Sequence, residues 1–120
     1  MTQERITLGR AGEDAAVKYL KKKGMRVLHR NYWCRLGEID IVAMDGPYMV
    51  FVEVRTKAGG AFGLAQESIT KKKIHKIRQV ASCYIQWQRV GDIPLRIDVV
   101  AVLTDLAGSI VSIDHILNAL

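Results

Sequence analysis

The sequence is short of the residues that staple or interrupt a chain. Its two cysteines, Cys34 and Cys83, stand 49 positions apart and form no CxxC or CxxH pattern. That spacing argues against a disulfide framework or a zinc knuckle, and it fits a reducing compartment. There are two prolines and no Pro/Ser-rich tract, so no linker divides the chain. No apolar run approaches the ~20 residues needed to cross a bilayer. The opening MTQERITLGRAGED lacks the apolar core of a secretory signal. These absences predict a soluble, cytoplasmic protein with no membrane partner. His29, His75 and His115 have no metal-ligand spacing, and no P-loop, GxGxxG or Ser/His/Asp arrangement is present.

What remains is an ordinary globular composition. Hydrophobic residues make up 49% and charged residues 25% of 120 positions, a length that suits one domain over residues 1–120. The net charge is +6 and unevenly placed. Residues 1–90 carry 17 basic and 8 acidic side chains, whereas residues 91–120 carry 1 and 4. A positive field over the first three-quarters of the chain points to an anionic partner.

Periodicity and punctuation predict a helix over Leu8–Lys23 closed by Gly24, a strand over Met25–Tyr32 and a second over Leu36–Gly46. Asp45-Gly46-Pro47 is a turn, and Met49–Thr56 is the return arm of a hairpin. Gly-rich Lys57–Gln66 reads as a loop, followed by a long helix over Glu67–Gln88 and a core strand over Leu95–Leu103. The last segment, IVSIDHILNAL, fits a strand or a short helix. The order α-β-β-β-α-β predicts an α/β layer structure around a mixed sheet flanked by helices.

Within the hairpin, Glu38 and Asp40 are expected on one face of their strand, opposite Ile39, Ile41 and Ala43. Glu53 and Arg55 share a face of the next strand. Pairing the arms sets Asp40 beside Glu53, within reach of one hard divalent cation such as Mg²⁺. Arg55 is placed to stabilise charge on a phosphate, and Lys57 is next on that face. The same four residues also fit a solvated face carrying weak surface ion pairs. Glu53 speaks against that reading, because VFVEV is apolar on both faces and a charge buried there needs a partner or a metal.

Helical spacing puts Glu13 on the stripe of Ala16, Val17 and Leu20, as a third carboxylate or a dipole partner at the helix start. In the second long helix, Lys73 falls inside the arc of Ile74, Ile77, Ala81, Tyr84 and Ile85. Lys71, Lys72, His75, Lys76 and Arg78 fall outside it, as a phosphate-tracking surface or simply a solvated face. Arg96 and Asp98 share a face of the late core strand and are expected to pair. Tyr32, Trp33 and Trp87 suit either base stacking or core packing.

The segments LGRAGEDAAVKYL, NYWCRLGEIDIVAMDG, VFVEVRTKAGGAFG, ITKKKIHKIRQVASCYI and LRIDVVAV together resemble the bacterial YraN-like uncharacterised protein family, in order and over nearly the whole chain. That family is similar to the restriction-endonuclease-like PD-(D/E)xK superfamily, and within it to archaeal Holliday junction resolvases. The resemblance implies a restriction-endonuclease-like αβββαβ core and an endonuclease using Mg²⁺ or Mn²⁺ to hydrolyse phosphodiester bonds in DNA, branched DNA included. It puts Asp40 at the motif aspartate, Glu53 at the motif acid and Glu13 at the helix acid, all three as metal-site residues. Arg55 takes the position of the superfamily lysine, and Lys73 matches a lysine of the second helix. Asp40, Glu53, Arg55 and Lys73 are then the catalytic candidates, and Lys57, Lys71, Lys72, Lys76 and Arg78 the nucleic-acid contacts. Two departures stand out: Ile39 precedes Asp40 where the motif has proline, and arginine, which stays protonated, replaces a lysine that could help activate water. A non-catalytic nucleic-acid-binding module, or an interaction protein whose basic helix meets an acidic partner, fits the same charges. A resolvase-like role would require two sites and hence a homodimer.

Overall fold

The hairpin of two apolar strands is the centre from which the other elements are placed. In the computed structural model, which describes residues 3–59 and 70–119, with side chains from residue 9 onward, the order is α1 (Gln3–Lys22), β1 (Arg26–Cys34), β2 (Gly37–Asp45), β3 (Tyr48–Ala58), α2 (Lys71–Trp87), β4 (Leu95–Thr104) and β5 (Ile110–Ile116). The strands form one sheet in the order β1-β2-β3-β4-β5. All neighbours are antiparallel except β3 and β4, which run parallel from Met49↔Leu95 to Ala58↔Thr104. Parallel neighbours need a crossover, and α2 lies within it.

The apolar alternation of β3 assigns the two faces. Val50 and Val52 join Ala16, Val17 and Leu20 of α1, with Val100 and Val102 of β4. Met49 and Phe51 turn the other way, to Ile77, Val80, Ala81 and Tyr84 of α2 and Ile97 of β4. β3 and β4 read as continuous apolar runs because both of their faces are covered.

The end of α1 is closed as its sequence predicts. Gly24 takes a φ of +91°, Met25 N–H donates to Leu20 O at 3.0 Å and Gly24 N–H donates to Lys21 O at 3.0 Å. Leu20 and Met25 are buried in the same cluster, so the cap also docks the helix. Further back, a Cβ at Gly12 would overlap the Thr56 side chain, so glycine there lets α1 lie close on β3.

Several boundaries differ from expectation. α2 begins at Lys71, not Glu67, with the Thr70 hydroxyl accepting the Lys73 N–H at 3.2 Å as an N-cap. β3 runs to Ala58, past the expected limit at Thr56, because β4 pairs with it that far. Most of the expected Lys57–Gln66 loop and the Glu67 helix start lie outside the described residues. The last segment is a strand, β5. No helix among the described residues is long and apolar enough to cross a membrane. The two cysteines are free yet adjacent: the Cys34 and Cys83 thiols hydrogen-bond to each other from β1 and α2. Burial pushes the Cys34 thiol up, but hydrogen bonds from the Leu36 and Gly37 backbone, Cys83 and Tyr32 leave it below its ordinary value. The Cys83 thiol is raised, by its bond to Cys34 and by burial. Iodoacetamide at neutral pH should therefore modify Cys34 before Cys83, as peptide mass mapping would show.

The expected Arg96–Asp98 pair is part of a larger buried network. Asp98 is fully buried; it accepts from Arg96 Nε at 2.9 Å and from Asn118 N–H at 2.9 Å, and His115 Nε2 lies 2.8 Å from its other oxygen. Arg96 also bridges to Asp45 at 2.7 Å, tying the turn between β2 and β3 to β4. Burial pushes the Asp98 carboxyl up, but His115, Arg96 and the Asn118 N–H outweigh it and hold it below the usual range. A depressed folded pKa gives stability that is present above the unfolded value and lost as pH falls through the folded one. Asp98→Ala should cost about 3–5 kcal/mol in urea unfolding, because Arg96 and an amide lose their acceptor. That cost should shrink below the ordinary carboxylate range.

Candidate functional site

The regular alternation of β2 fails at Asp40. Ile41 and Ala43 belong to the α1-side core, whereas Ile39 belongs to the α2-side core. The expectation that Ile39, Ile41 and Ala43 share one face is therefore corrected. The cause is local. Pairing with β1 passes from Arg30↔Ile41 to Tyr32↔Ile39, stepping over Asn31 and Asp40, and pairing with β3 reaches only Ile41↔Val52. Asn31 sits at φ +53°, a left-handed conformation that asparagine tolerates better than most residues. Asp40 is thus outside both ladders, and its Oδ2 accepts the Val54 N–H at 2.7 Å.

Beside it opens a cleft of about 1050 Å³ between α1 and the edges of β1, β2 and β3. Glu13 and Arg10 line it from the helix, Glu38 and Asp40 from β2, and Arg55 and Lys57 from β3. Burial and the charge of Glu53 together push the Asp40 carboxyl up to about 7, against the Val54 N–H, which draws it down. The Glu53 carboxyl is raised as well, chiefly by burial; Arg55 pulls it back and Glu38 adds to the rise. A half-buried carboxyl whose charge is disfavoured by burial and by a neighbouring acid gains from a bound cation. Arg55 faces them with Nε and Nη2 buried and without a hydrogen-bond partner among the described residues.

The acids expected to converge do so in part. Asp40 and Glu53 are electrostatically coupled, as the paired strands suggested. Glu13 reaches the cleft but is held there: Arg30 Nε donates to it at 3.2 Å and Asn31 Nδ2 at 3.0 Å. Among the described residues no group of three His, Cys, Asp or Glu side chains is close enough to hold a metal. Asp40 and Glu53 are oxygen donors of the kind small hard cations take, but Glu53, unlike Asp40, is not among the residues that line the cleft.

The basic residues divide. Lys57 is exposed and lines the cleft. Lys71, Lys72, Lys76 and Arg78 are exposed on α2, on the other side of the sheet, and Arg78 lines a separate hollow of about 250 Å³ with Phe51 and Ile97. The inward placement expected of Lys73 is corrected: it is exposed and does not line the cleft. With the helix starting at Lys71, Lys73 lies in the first turn, beyond the buried stripe of Ile77, Val80, Ala81 and Tyr84. Arg10, Asp14, Arg30 and Asn31 also line the cleft and were not anticipated. Arg30 pairs with Asp14 at 2.6 Å as well as with Glu13, and Asn31 and Arg10 complete the wall. Asparagine inside a strand pattern, a poor strand former, was the available signal.

A carboxyl whose folded pKa stands above its unfolded value gives up stability as pH rises from the unfolded value through the folded one. Asp40 follows this sign, so Asp40→Asn, which keeps an acceptor for Val54 N–H, should raise the melting temperature at pH 8. The gain should fade as pH is lowered toward 5, which thermal scans across that range would show.

Comparison with known proteins places this geometry in a family. The Uncharacterised protein family UPF0102 matches residues 12–102, from α1 through β4 and including the cleft residues Glu13, Asp40 and Arg55. A UPF0102 protein of Pelotomaculum thermopropionicum is 48% identical over 119 residues, 99% of each chain. One from Caldicellulosiruptor saccharolyticus is 42% identical over 112 residues, covering 93% of this chain and 95% of its own. Another, from Geobacter metallireducens, is 40% identical over 119 residues, 99% of this chain and 96% of its own. With matches of this identity along nearly the full length, the chain belongs to the UPF0102 family.

Proposed function

We propose that the Asp40 cleft is the active site of a divalent-metal-dependent endonuclease acting on DNA. The observation that carries this reading is that Asp40 lines a cleft with Arg10, Arg55 and Lys57 while burial and Glu53 disfavour its charge. Folding maintains this repulsion beside an arginine whose buried nitrogens lack partners among the described residues. A cation on the acids and a phosphate on the arginine would relieve both.

In this scheme Asp40 and Glu53 hold Mg²⁺ or Mn²⁺ together with water. The metal supplies a water of lowered pKa and polarisation of the phosphodiester. The Val54 N–H fixes the Asp40 carboxylate, which would hold the ion with Glu53. Arg55 neutralises the charge that builds on the phosphate; being permanently protonated, it is a donor and not a base. Lys57 and Arg10 line the same cleft and attract the phosphates on either side. Glu13 sets the cleft wall through Arg30 and Asn31, a positioning task. The exposed lysines of α2 are a second phosphate-tracking surface that engages flanking DNA.

A second reading is favoured by Arg55 itself. With no lysine at that position, the cleft can bind a phosphate backbone without cutting it. A panel of single-stranded, duplex, flapped and four-way DNA with Mg²⁺, Mn²⁺ or EDTA separates the two. The endonuclease reading expects metal-dependent nicking that falls by at least about 100-fold in Asp40→Asn and Glu53→Gln, with the fold intact by circular dichroism. Nicking of equal rate in wild type and both variants would sink it. Salt-sensitive binding without nicking in any metal would leave the binding module.

A further inference from the structure

Trp33 is 74% exposed, and the strand geometry says where it points. Its neighbours Tyr32 and Cys34 both pack against the α2-side core. Trp33 between them projects to the opposite face. Its register partner across the ladder is Glu38, and Glu38 lines the cleft together with Asp40, two residues further along β2. The indole therefore stands on the cleft side of the sheet, about 7 Å along the strand direction from the level of Asp40.

The other aromatic rings of this region are occupied. Tyr32 stacks on Trp87 with centroids 5.5 Å apart, and Tyr84 meets His29, Tyr32 and Phe51 edge-on. Trp33 makes no such ring contact among the described residues. Around it the charges are mixed: Glu38 is exposed opposite it, Arg30 pairs with Glu13 and Asp14, Arg35 is exposed beside it in sequence, and Arg10 and Lys57 line the cleft beyond. A free π-face beside a cleft that Arg10, Arg55 and Lys57 line suits a strand that presents a phosphate and an uncovered base together.

We infer that Trp33 is a base-stacking platform at the rim of the Asp40 cleft, and that the ligand it selects is a nucleic-acid strand with an unpaired nucleotide next to the phosphate held in the cleft. The inference rests on the nucleic-acid reading of that cleft and adds the substrate class. The selection follows from stacking itself. A base inside a duplex has both faces covered by its neighbours, so the indole gains nothing from it. An unpaired base exchanges water for the ring.

The test reads binding, not cleavage. The chain has two tryptophans, so Trp87→Phe leaves Trp33 as the only indole and its fluorescence as the probe. Titration in EDTA with a single-stranded oligodeoxynucleotide should quench that fluorescence, and a duplex of the same sequence should quench it far less. Trp33→Ala should weaken single-strand binding by about 5- to 150-fold and duplex binding by less than twofold, with Trp33→Phe in between. Equal single-strand affinity in Trp33→Ala and wild type would overturn the inference. So would equal quenching by heparin, a polyanion without bases. Quenching by single strands in a protein that nicks no DNA would support the platform while removing the endonuclease reading, so the two fail separately.

Discussion

One hydrogen bond organises this molecule: the Asp40 carboxylate accepts the Val54 N–H at 2.7 Å. It lies where the β2–β3 ladder ends at Ile41↔Val52, and it joins strands that have begun to separate. A side chain replaces a backbone carbonyl in satisfying a backbone donor, so the strands diverge without leaving that amide unpaired. The divergence is what creates space for a cleft. On the other flank of β2 the pairing with β1 steps over Asn31 and Asp40, and Asn31 turns its amide to Glu13. The gap in pairing at Asn31 and Asp40 is thereby read by three elements at once.

The fully buried Asp98 and the half-buried Asp40 show the same side chain in opposite surroundings. Asp98 is surrounded by donors from Arg96, His115 and Asn118, and its charge is stabilised in spite of full burial. Asp40 is surrounded by other acids and one amide, and its charge is disfavoured. The first arrangement ties β4 to β5 and to the turn after β2. The second stores a repulsion on the cleft side of the sheet. Structural networks and functional sites both perturb acids; between these two aspartates the sign of the perturbation differs.

Most of the architecture was legible because it rests on short-range rules. The Gly24 cap, the Asp45–Gly46 turn and the apolar β3 run each carry a local signal, and the element order followed from them. That Asp40 and Arg55 would share one cleft was legible because charged residues interrupt otherwise apolar strands. The facing of Ile39 was not, since strict alternation contains no warning of a residue leaving both ladders. Lys73 was misplaced because its direction depends on where the helix begins, and the Thr70 cap sets that beginning at Lys71. The adjacency of Cys34 and Cys83 and the pairing of Arg30 with Glu13 depend on tertiary placement alone. Sequence separations of 49 and 17 hold no local trace of either contact.

The close approach of α1 to β3 at Gly12 has a consequence for the site beside it. Any side chain at that position meets Thr56, so either the helix or the strand must move. Glu13 follows immediately in the helix, and Arg55 and Lys57 flank Thr56 in the strand. The gap between the acidic wall and the cationic floor is therefore gauged by an uncharged steric stop, the absence of a single methyl group. Electrostatic attraction falls off gradually with distance and defines a spacing poorly, whereas hard-core repulsion does so within tenths of an ångström. In this fold, the tolerance of a polar cleft is set by a residue that contributes no polarity of its own.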